Sequence, residues 1–409
     1  MLEPQPPRQK GVRFPATKEG MERMAVVVEV GDSASEAYDP LKRWLGSVGL
    51  TPGTGACVLV SALVLVALVV SSSSSTAPAR TGAEWSPTWD LEREVYAASA
   101  RAAAKGVVAA RVLEKKTVVV EEPGGGLPFH VYLVQGRLQK NTSSVGKTTT
   151  KEEDPLDVGN VAPSMVVRRR VFDDEYALIL NKFPLFRGHT LLVTSAGDVP
   201  QSHRVGKRDL DALHRSASAL KGLGFFNSHA DAGSSQPHRH FQLIPFASME
   251  PRSIFQALDA AMPDEPTWRW SSKAPFIPVV KYLAPFDEIA HGLVRLPPRA
   301  TFDIDFQNKG TFADALLRAY VALAADLHIF QDTDDRPHNL VLTERCLFAV
   351  RRSQPRASHH FNISANAMAF TGTIVTDDPE AFQHINQTFT PLDVLRDVAV
   401  PAIALPADK

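Results

Sequence analysis

From residue 91 onward, hydrophobic and polar positions recur with the periods of helices and strands. Between residues 209 and 223, apolar side chains return every three or four positions, which predicts an amphipathic helix that ends at Gly222 and Gly224. Short apolar runs between turn-forming residues predict strands. The predicted helices cover 91–105, 209–223, 311–326 and 379–387. The predicted strands cover 116–120, 129–135, 176–180, 190–194, 339–343 and 346–351, with a further loop and strand over 233–245.

The first 90 residues have no such pattern. They contain an apolar run over 56–70 that only Ser61 interrupts and that five serines follow. The run has fifteen residues, whereas a membrane-spanning helix needs roughly 20. It also lies too far from Met1 for a secretory signal. Three interpretations stay open: a membrane anchor, a buried helix, or a targeting or stray extension ahead of the folded body.

Regularity is lowest between residues 247 and 310, where prolines punctuate the chain. We place a domain boundary there, because linkers between domains have this composition. The chain then divides into an extension over 1–90, a first folded domain over 91–255 and a second over 275–409.

Composition narrows the class of protein. The chain has 409 residues, of which 44% are hydrophobic and 22% charged, so it can bury a sizeable core. Its net charge of −1 gives no electrostatic basis for binding a nucleic-acid backbone. The two cysteines are too few for a disulfide framework, which favours a reducing compartment.

The segment Gly-Ser-Ser-Gln-Pro-His-Arg-His-Phe-Gln over 233–242 is the strongest candidate site. Side chains alternate along a strand, so His238, His240 and Gln242 should share one face. The preceding loop offers the N–H and hydroxyl groups that bind phosphate, and an imidazole can form a covalent phosphoramidate. Histidines at this spacing also occur as metal ligands or as buried structural residues, so the spacing alone does not decide their role.

This segment resembles the active-site strand of the ATP adenylyltransferases, or diadenosine tetraphosphate phosphorylases. They form part of the transferase branch of the histidine-triad superfamily. The resemblance extends over about 91–409 and leaves the first 90 residues without a counterpart. The other matching segments are 180–186, 191–194, 222–228, 339–345 and 364–372.

The resemblance implies an α+β fold with an antiparallel sheet core of histidine-triad type and outer helices. The C-terminal α+β domain of ATP adenylyltransferases would extend this core. It also implies that the first domain is catalytic, with His240 as the nucleophile that accepts AMP. His238 would position the phosphate and the nucleophile, while Gln242 stands where the hydrolase branch has a third histidine. The reaction implied is the reversible cleavage of diadenosine tetraphosphate by inorganic phosphate into ADP and ATP.

The same resemblance implies a set of substrate contacts. It assigns the phosphate loop to Gly233, Ser234, Ser235 and Gln236. It assigns the remaining contacts to Lys140, Asn181, Lys182, Asn227, Asn339 and Arg345. A divalent ion, Mg²⁺, is expected to accompany the polyphosphate. No protein residue is expected to hold a metal.

Two other functions stay open. The chain could transfer another nucleotide, from a UDP-sugar or from adenylyl sulfate, through the same histidine. It could also be a nucleotide sensor that binds without turnover. The expected partners are nucleotides and phosphate, and the expected location is the cytoplasm. The apolar run over 56–70 leaves a membrane-anchored or organellar location open.

Overall fold

The computed structural model describes residues 89–108, 111–120, 126–135, 154–197, 199–249, 286–299, 311–331 and 335–402, with short pieces at 268–269, 277–278, 283 and 302. The apolar run over 56–70 and Lys140 lie outside these residues. The helices are α1 (Leu91–Ala104), α2 (Lys207–Ala219), α3 (Phe312–Asp326), α4 (Pro379–His384) and α5 (Pro391–Val398).

The strands are β1 (Arg111–Val120), β2 (Leu127–Gln135), β3 (Val166–Val171), β4 (Tyr176–Leu180), β5 (Thr190–Thr194), β6 (Gly222–Asn227), β7 (His240–Pro245), β8 (Trp268–Arg269), β9 (Ile277–Pro278), β10 (His291–Arg295), β11 (His338–Leu342), β12 (Cys346–Arg351), β13 (Arg356–Ala357), β14 (Ile363–Ser364) and β15 (Thr373–Thr376).

An eight-stranded antiparallel sheet forms the body, in the order β10-β12-β11-β6-β7-β5-β4-β3. Strands from both sides of the irregular stretch over 247–310 join in it, because β11 pairs with β6. A smaller sheet has the order β1-β2-β15, in which β15 runs parallel to β2. The fold is therefore α+β with a large antiparallel core, as the sequence predicted.

At the centre of the large sheet, the two faces pack against separate apolar cores. Phe226 and Phe241 face the core that contains α1, α2 and α3. Phe225 of β6 and Ile244 of β7 face the other core, which includes the small sheet and α5. This alternation buries β6 and β7 on both faces at the centre of the sheet. The two strands can therefore hold a site at their ends with little freedom to move.

Most of the predicted elements are confirmed, and several differ from the prediction in their bounds. Strands β4 and β5 and helix α3 lie where the pattern places them. Helix α2, however, ends at Ala219, and Gly222 and Gly224 belong to β6. A Cβ on Gly222 would come 2.1 Å from a backbone oxygen of β7, so this glycine permits close strand pairing rather than ending the helix. The strand predicted within 233–245 begins only at His240.

Other elements were not predicted. Strands β3, β10 and β15 and helix α5 went unrecognised, and the closing helix predicted over 379–387 ends at His384. Among the residues described above, no helix is long and apolar enough to cross a membrane.

Candidate active site

The predicted nucleophile lies at the first residue of β7, a central strand. His240 is 4% exposed, and Gln242 follows it on the same face, while Phe241 between them packs into the helical core. His238 lies two residues before the strand, where an isolated bridge pairs it with Pro200. The predicted alternation is therefore confirmed for His240 and Gln242, whereas His238 is held outside the strand.

One hydrogen bond fixes the tautomer of His240. Its Nδ1 lies 2.9 Å from the backbone oxygen of His238, and a carbonyl oxygen only accepts. The Nδ1 atom therefore carries the hydrogen, and the lone pair resides on Nε2. A lone pair on Nε2 is what a histidine needs to attack phosphorus.

His238 is clamped between two oxygen acceptors. Its Nδ1 lies 2.5 Å from a carboxylate oxygen of Asp154, and its Nε2 lies 2.9 Å from the backbone oxygen of Thr194. These contacts hold the ring and thereby the backbone carbonyl that orients His240. The geometry supports the predicted role of His238 in positioning the nucleophile.

The side chain of Gln201 is inserted between the backbones of Asn227 and His240. The β6–β7 register ends at the pair of Phe225 and Gln242, and its continuation past Phe226 and Phe241 would set Asn227 opposite His240. Instead, the Gln201 Nε2 donates to the backbone oxygens of both residues, at 2.8 and 3.1 Å. Its Oε1 accepts from the His240 N–H at 2.8 Å. Gln201 was not predicted, because an isolated glutamine in a loop carries no signal in the sequence.

A buried histidine connects two of the predicted site residues. The Nε2 of His189 lies 2.9 Å from the side-chain oxygen of Gln242 and 3.2 Å from the amide nitrogen of Asn181. The Asn181 Oδ1 accepts from the backbone N–H of Phe183. No role was predicted for His189. Gln242 and Asn181, far apart in sequence, are thus neighbours.

Asn227 presents a buried amide that is only half engaged. Its Oδ1 accepts from the Asn339 side chain at 2.8 Å and from the Ala367 N–H at 3.0 Å. Its Nδ2 has no hydrogen-bond partner among the described residues, although Asn227 is 1% exposed. This donor is consistent with the predicted nucleotide contact. Asn339 is fully buried, and its side chain contacts Asn227.

The predicted phosphate loop joins the ends of β6 and β7. Gly233 has a φ of 86°, and a Cβ there would lie 2.8 Å from the backbone oxygen of Ala365. Only glycine fits this conformation and this close approach. The Ser234 N–H donates to the His229 oxygen, whereas Ser235 is exposed. The loop therefore lies between His240 and the segment around Ala365, with Gln236 at its end.

A shallow, mostly apolar cavity of about 280 Å³ opens beside Asn181 and His189. Asn181 and His189 form its polar end, and Ala100 and Ala103 of α1 line its apolar side. Lys182 is exposed nearby, with its Nζ 5.8 Å from the ring centre of Phe183.

One predicted contact lies away from these residues, and another falls outside the described residues. Arg345 is exposed in the turn between β11 and β12, whereas Asn339 lies near the opposite end of β11. The structure therefore does not bring Arg345 close to Asn339 and Asn227. Lys140 stays a prediction because it falls outside the described residues. Within the described ranges, no group of three His, Cys, Asp or Glu side chains could hold a metal ion.

A buried ion pair anchors the catalytic strand from behind. Arg239, between the two histidines, is 1% exposed, and its Nη1 lies 2.6 Å from a carboxylate oxygen of Asp209 in α2. The hydroxyl of Tyr176 donates to the other oxygen of Asp209. Burial and the Asp209 charge raise the pKa of Tyr176, so this phenol stays protonated as a donor. The pair ties the start of β7 to the helical layer.

The chain is an α+β protein whose large antiparallel sheet carries a histidine on a central strand, beside a glycine-containing loop. Two family models match the chain: the Ap4A phosphorylase N-terminal domain over 84–261 and the ATP adenylyltransferase C-terminal domain over 284–401. Together they cover more than two thirds of the sequence. The chain belongs to the family of ATP adenylyltransferases, also called diadenosine tetraphosphate phosphorylases.

Individual relatives agree with this assignment. The chain is 27% identical over 260 residues to diadenosine 5',5'''-P1,P4-tetraphosphate phosphorylase 2 of Saccharomyces cerevisiae, a match that spans 58% of this chain and 73% of the relative. It is 25% identical over 296 residues to the protein APA1 of the same yeast, spanning 68% and 84%. The solved structure of yeast Ap4A phosphorylase Apa2 in complex with Ap4A shares the fold, with a TM-score of 0.57 at 21% identity. That match covers 76% of this chain and 97% of the yeast chain.

Proposed function

We propose that this chain is a diadenosine tetraphosphate phosphorylase, which transfers AMP from its substrate to inorganic phosphate and releases ATP and ADP. One observation carries the proposal: His240 presents an Nε2 lone pair, and the next residue on its face is the neutral Gln242. The choice of substrate is supported by the name of the yeast relative, a diadenosine tetraphosphate phosphorylase, and by the structure of yeast Ap4A phosphorylase Apa2 in complex with Ap4A.

In the first half-reaction, the Nε2 of His240 attacks the phosphorus next to one adenosine. A nitrogen–phosphorus bond forms, the bond from phosphorus to the bridging oxygen breaks, and ATP leaves with that oxygen. The ring then carries a positive charge. The carbonyl of His238, which accepts from Nδ1 at 2.9 Å, stabilises this charge. ATP is a weakly basic leaving group, so the step needs no strong general acid.

In the second half-reaction, an oxygen of inorganic phosphate attacks the same phosphorus. The nitrogen–phosphorus bond breaks, ADP forms, and Nε2 regains its lone pair. Gln242 is an amide, which can hold a phosphate oxygen but cannot remove a proton from water. A phosphate dianion is already a nucleophile, whereas water would need a base. We therefore expect transfer to phosphate to exceed hydrolysis.

The described residues suggest where the substrate binds. The cavity of about 280 Å³ beside Asn181 and His189 can take part of a nucleoside, with an apolar wall for the base. The loop from Gly233 to Gln236 would then receive the phosphates, and Lys182 would neutralise part of their charge. Mg²⁺ would enter as part of the polyphosphate substrate. Because these nucleotides are cytosolic metabolites, we place the enzyme in the cytoplasm.

The test is the ratio of products with and without phosphate. We expect diadenosine tetraphosphate to give equal amounts of ADP and ATP with phosphate, and little AMP without it. Chromatography separates the three nucleotides. Release of AMP at full rate in phosphate-free buffer would mean that the chain is a hydrolase. Turnover of a UDP-sugar or adenylyl sulfate instead would keep the histidine chemistry and overturn the substrate. Binding without any turnover would favour a sensor.

A further inference from the structure

A buried arginine lies behind the proposed phosphate loop. Arg352 follows β12 and is 2% exposed. Its guanidinium makes hydrogen bonds only to neutral oxygens within the described part of the chain. The acceptors are the Asn339 side chain at 2.7 Å and the backbone oxygens of Gln354, Ala365, Val398 and Ala232 at 2.8, 3.0, 3.0 and 3.4 Å. A buried charge whose hydrogen-bond partners are all neutral is costly even with the charge of Asp231 nearby, so its position calls for an explanation.

The arginine fixes the orientation of two amides in series. A guanidinium only donates, so the Asn339 atom at 2.7 Å from it must be the oxygen Oδ1. The Asn339 Nδ2 then donates to the Ala232 oxygen and to the Asn227 Oδ1, both at 2.8 Å. The Ala367 N–H also donates to that Asn227 oxygen at 3.0 Å, which independently confirms its identity. No rotation of either amide satisfies these partners in another way.

The end of this series is the Asn227 Nδ2, the buried donor without a partner among the described residues. Arg352 also bonds Ala232 and Ala365. These residues flank the close contact between Gly233 and the C-terminal segment. The same side chain thus reaches both the amide and the base of the loop.

We propose that Arg352 is a positioning residue for nucleotide binding, acting through Asn339 to aim the Asn227 amide at the substrate. This inference rests on the proposed function, because it takes a nucleotide as the group that Asn227 receives. Burial lowers the pKa of the Arg352 guanidinium to about 9. It therefore stays charged at neutral pH and adds positive potential behind the loop.

Four variants test the series: Asn227→Ala, Asn339→Asp, Arg352→Met and, as the matched control, Arg351→Met. In Asn339→Asp the new carboxylate can pair with Arg352, which supports folding, but it presents an oxygen to Asn227 and Ala232 instead of a donor. Arg351 is the neighbouring arginine, and it bonds the backbone oxygen of Leu327 rather than the loop. Thermal melting establishes that each variant folds.

The probe is AMP binding by titration calorimetry, with the KM and kcat for diadenosine tetraphosphate measured alongside. We expect each of the first three variants to bind AMP about five- to tenfold more weakly, the size of one lost hydrogen bond to a ligand. The KM should rise while kcat stays within about twofold, since His240 is unchanged. The control should bind like the wild type. The double variant Asn227→Ala with Arg352→Met should bind no more weakly than the weaker single variant.

If the losses of AMP affinity multiply in the double variant, the inference is overturned. It is also overturned if Asn339→Asp binds AMP as tightly as the wild type. Failure of a folded wild type to bind AMP at all would overturn it too. Wild-type protein that binds AMP without producing ADP and ATP would count against the proposed function alone. In that case the comparison of AMP affinities would still decide the role of Arg352.

Discussion

Acid should destabilise this protein through a histidine that lies under the site. His338 is 1% exposed at the start of β11, where its Nδ1 donates to the Arg336 oxygen and its Nε2 accepts from the Tyr320 hydroxyl. Burial lowers the pKa of His338 from 6.5 to about 4, an effect that the backbone hydrogen bond and the charge of Asp335 only partly oppose. The fold therefore holds the neutral ring.

The sign and the size of the effect follow from this shift. Between pH 6.5 and 4 the unfolded chain binds a proton at residue 338 and the folded chain does not, so unfolding is favoured as the pH falls. The stabilisation is complete above pH 6.5 and is lost progressively toward pH 4. Since one pKa unit corresponds to about 1.4 kcal/mol, lowering the pH from 7 to 5 should cost about 2 kcal/mol of unfolding free energy for this ring.

The perturbation is His338→Gln, which removes the titrating group and keeps an amide for the two hydrogen bonds. Urea unfolding, followed by circular dichroism at pH 7 and pH 5, gives the free energy at each pH. We expect the variant to lose about 2 kcal/mol less than the wild type over this interval. His203→Gln, at an exposed ring, is the matched control and should behave like the wild type. Equal losses in the wild type and in His338→Gln would refute the reasoning.

Two further predictions concern the chemistry. His240→Ala should melt at the wild-type temperature but retain no acid-labile label from substrate labelled in the adenylyl group, whereas His203→Ala should be labelled normally. A labelled His240→Ala protein would place the intermediate elsewhere. Gln242→His should raise the share of AMP among the products, because an imidazole can deprotonate water as an amide cannot. An unchanged product ratio, measured by chromatography at fixed phosphate, would mean that residue 242 does not select the acceptor.

Local patterns predicted strands β4 and β5 and the shared face of His240 and Gln242. Strands β4 and β5 match their predicted bounds because each is a short apolar run between turn residues. The shared face of His240 and Gln242 follows from a period of two residues along β7. These features depend on neighbours in sequence, so a single sequence contains them.

The errors involve residues whose conformation is set by distant contacts. Gly222 and Gly224 have the spacing of a helix end, yet they allow close contacts with β7 and with Leu213 of α2. The chain leaves the helix before these glycines, and Lys221 adopts a φ of 49° although it is not a glycine. Helix α5 was not predicted, because the prolines of this stretch indicated an irregular tail. Pro391 lies instead at the start of the helix, which begins with a capping box from Thr390 and Asp393.

The residues of the site divide in the same way. Some lie in one continuous segment, and others come from distant parts of the chain. His240 and the loop from Gly233 to Gln236 come from one continuous segment, so their chemistry could be recognised in the sequence. The groups that orient them come from separate loops: Gln201 separates the strand ends, and Asp154 holds His238. Arg352 and Asn339 belong to the C-terminal half and reach Asn227 across the β6–β11 pairing. The N-terminal half thus carries the nucleophile, but the donor of Asn227 is aimed only when the C-terminal half completes the sheet. Nucleotide binding in this protein should therefore require both halves.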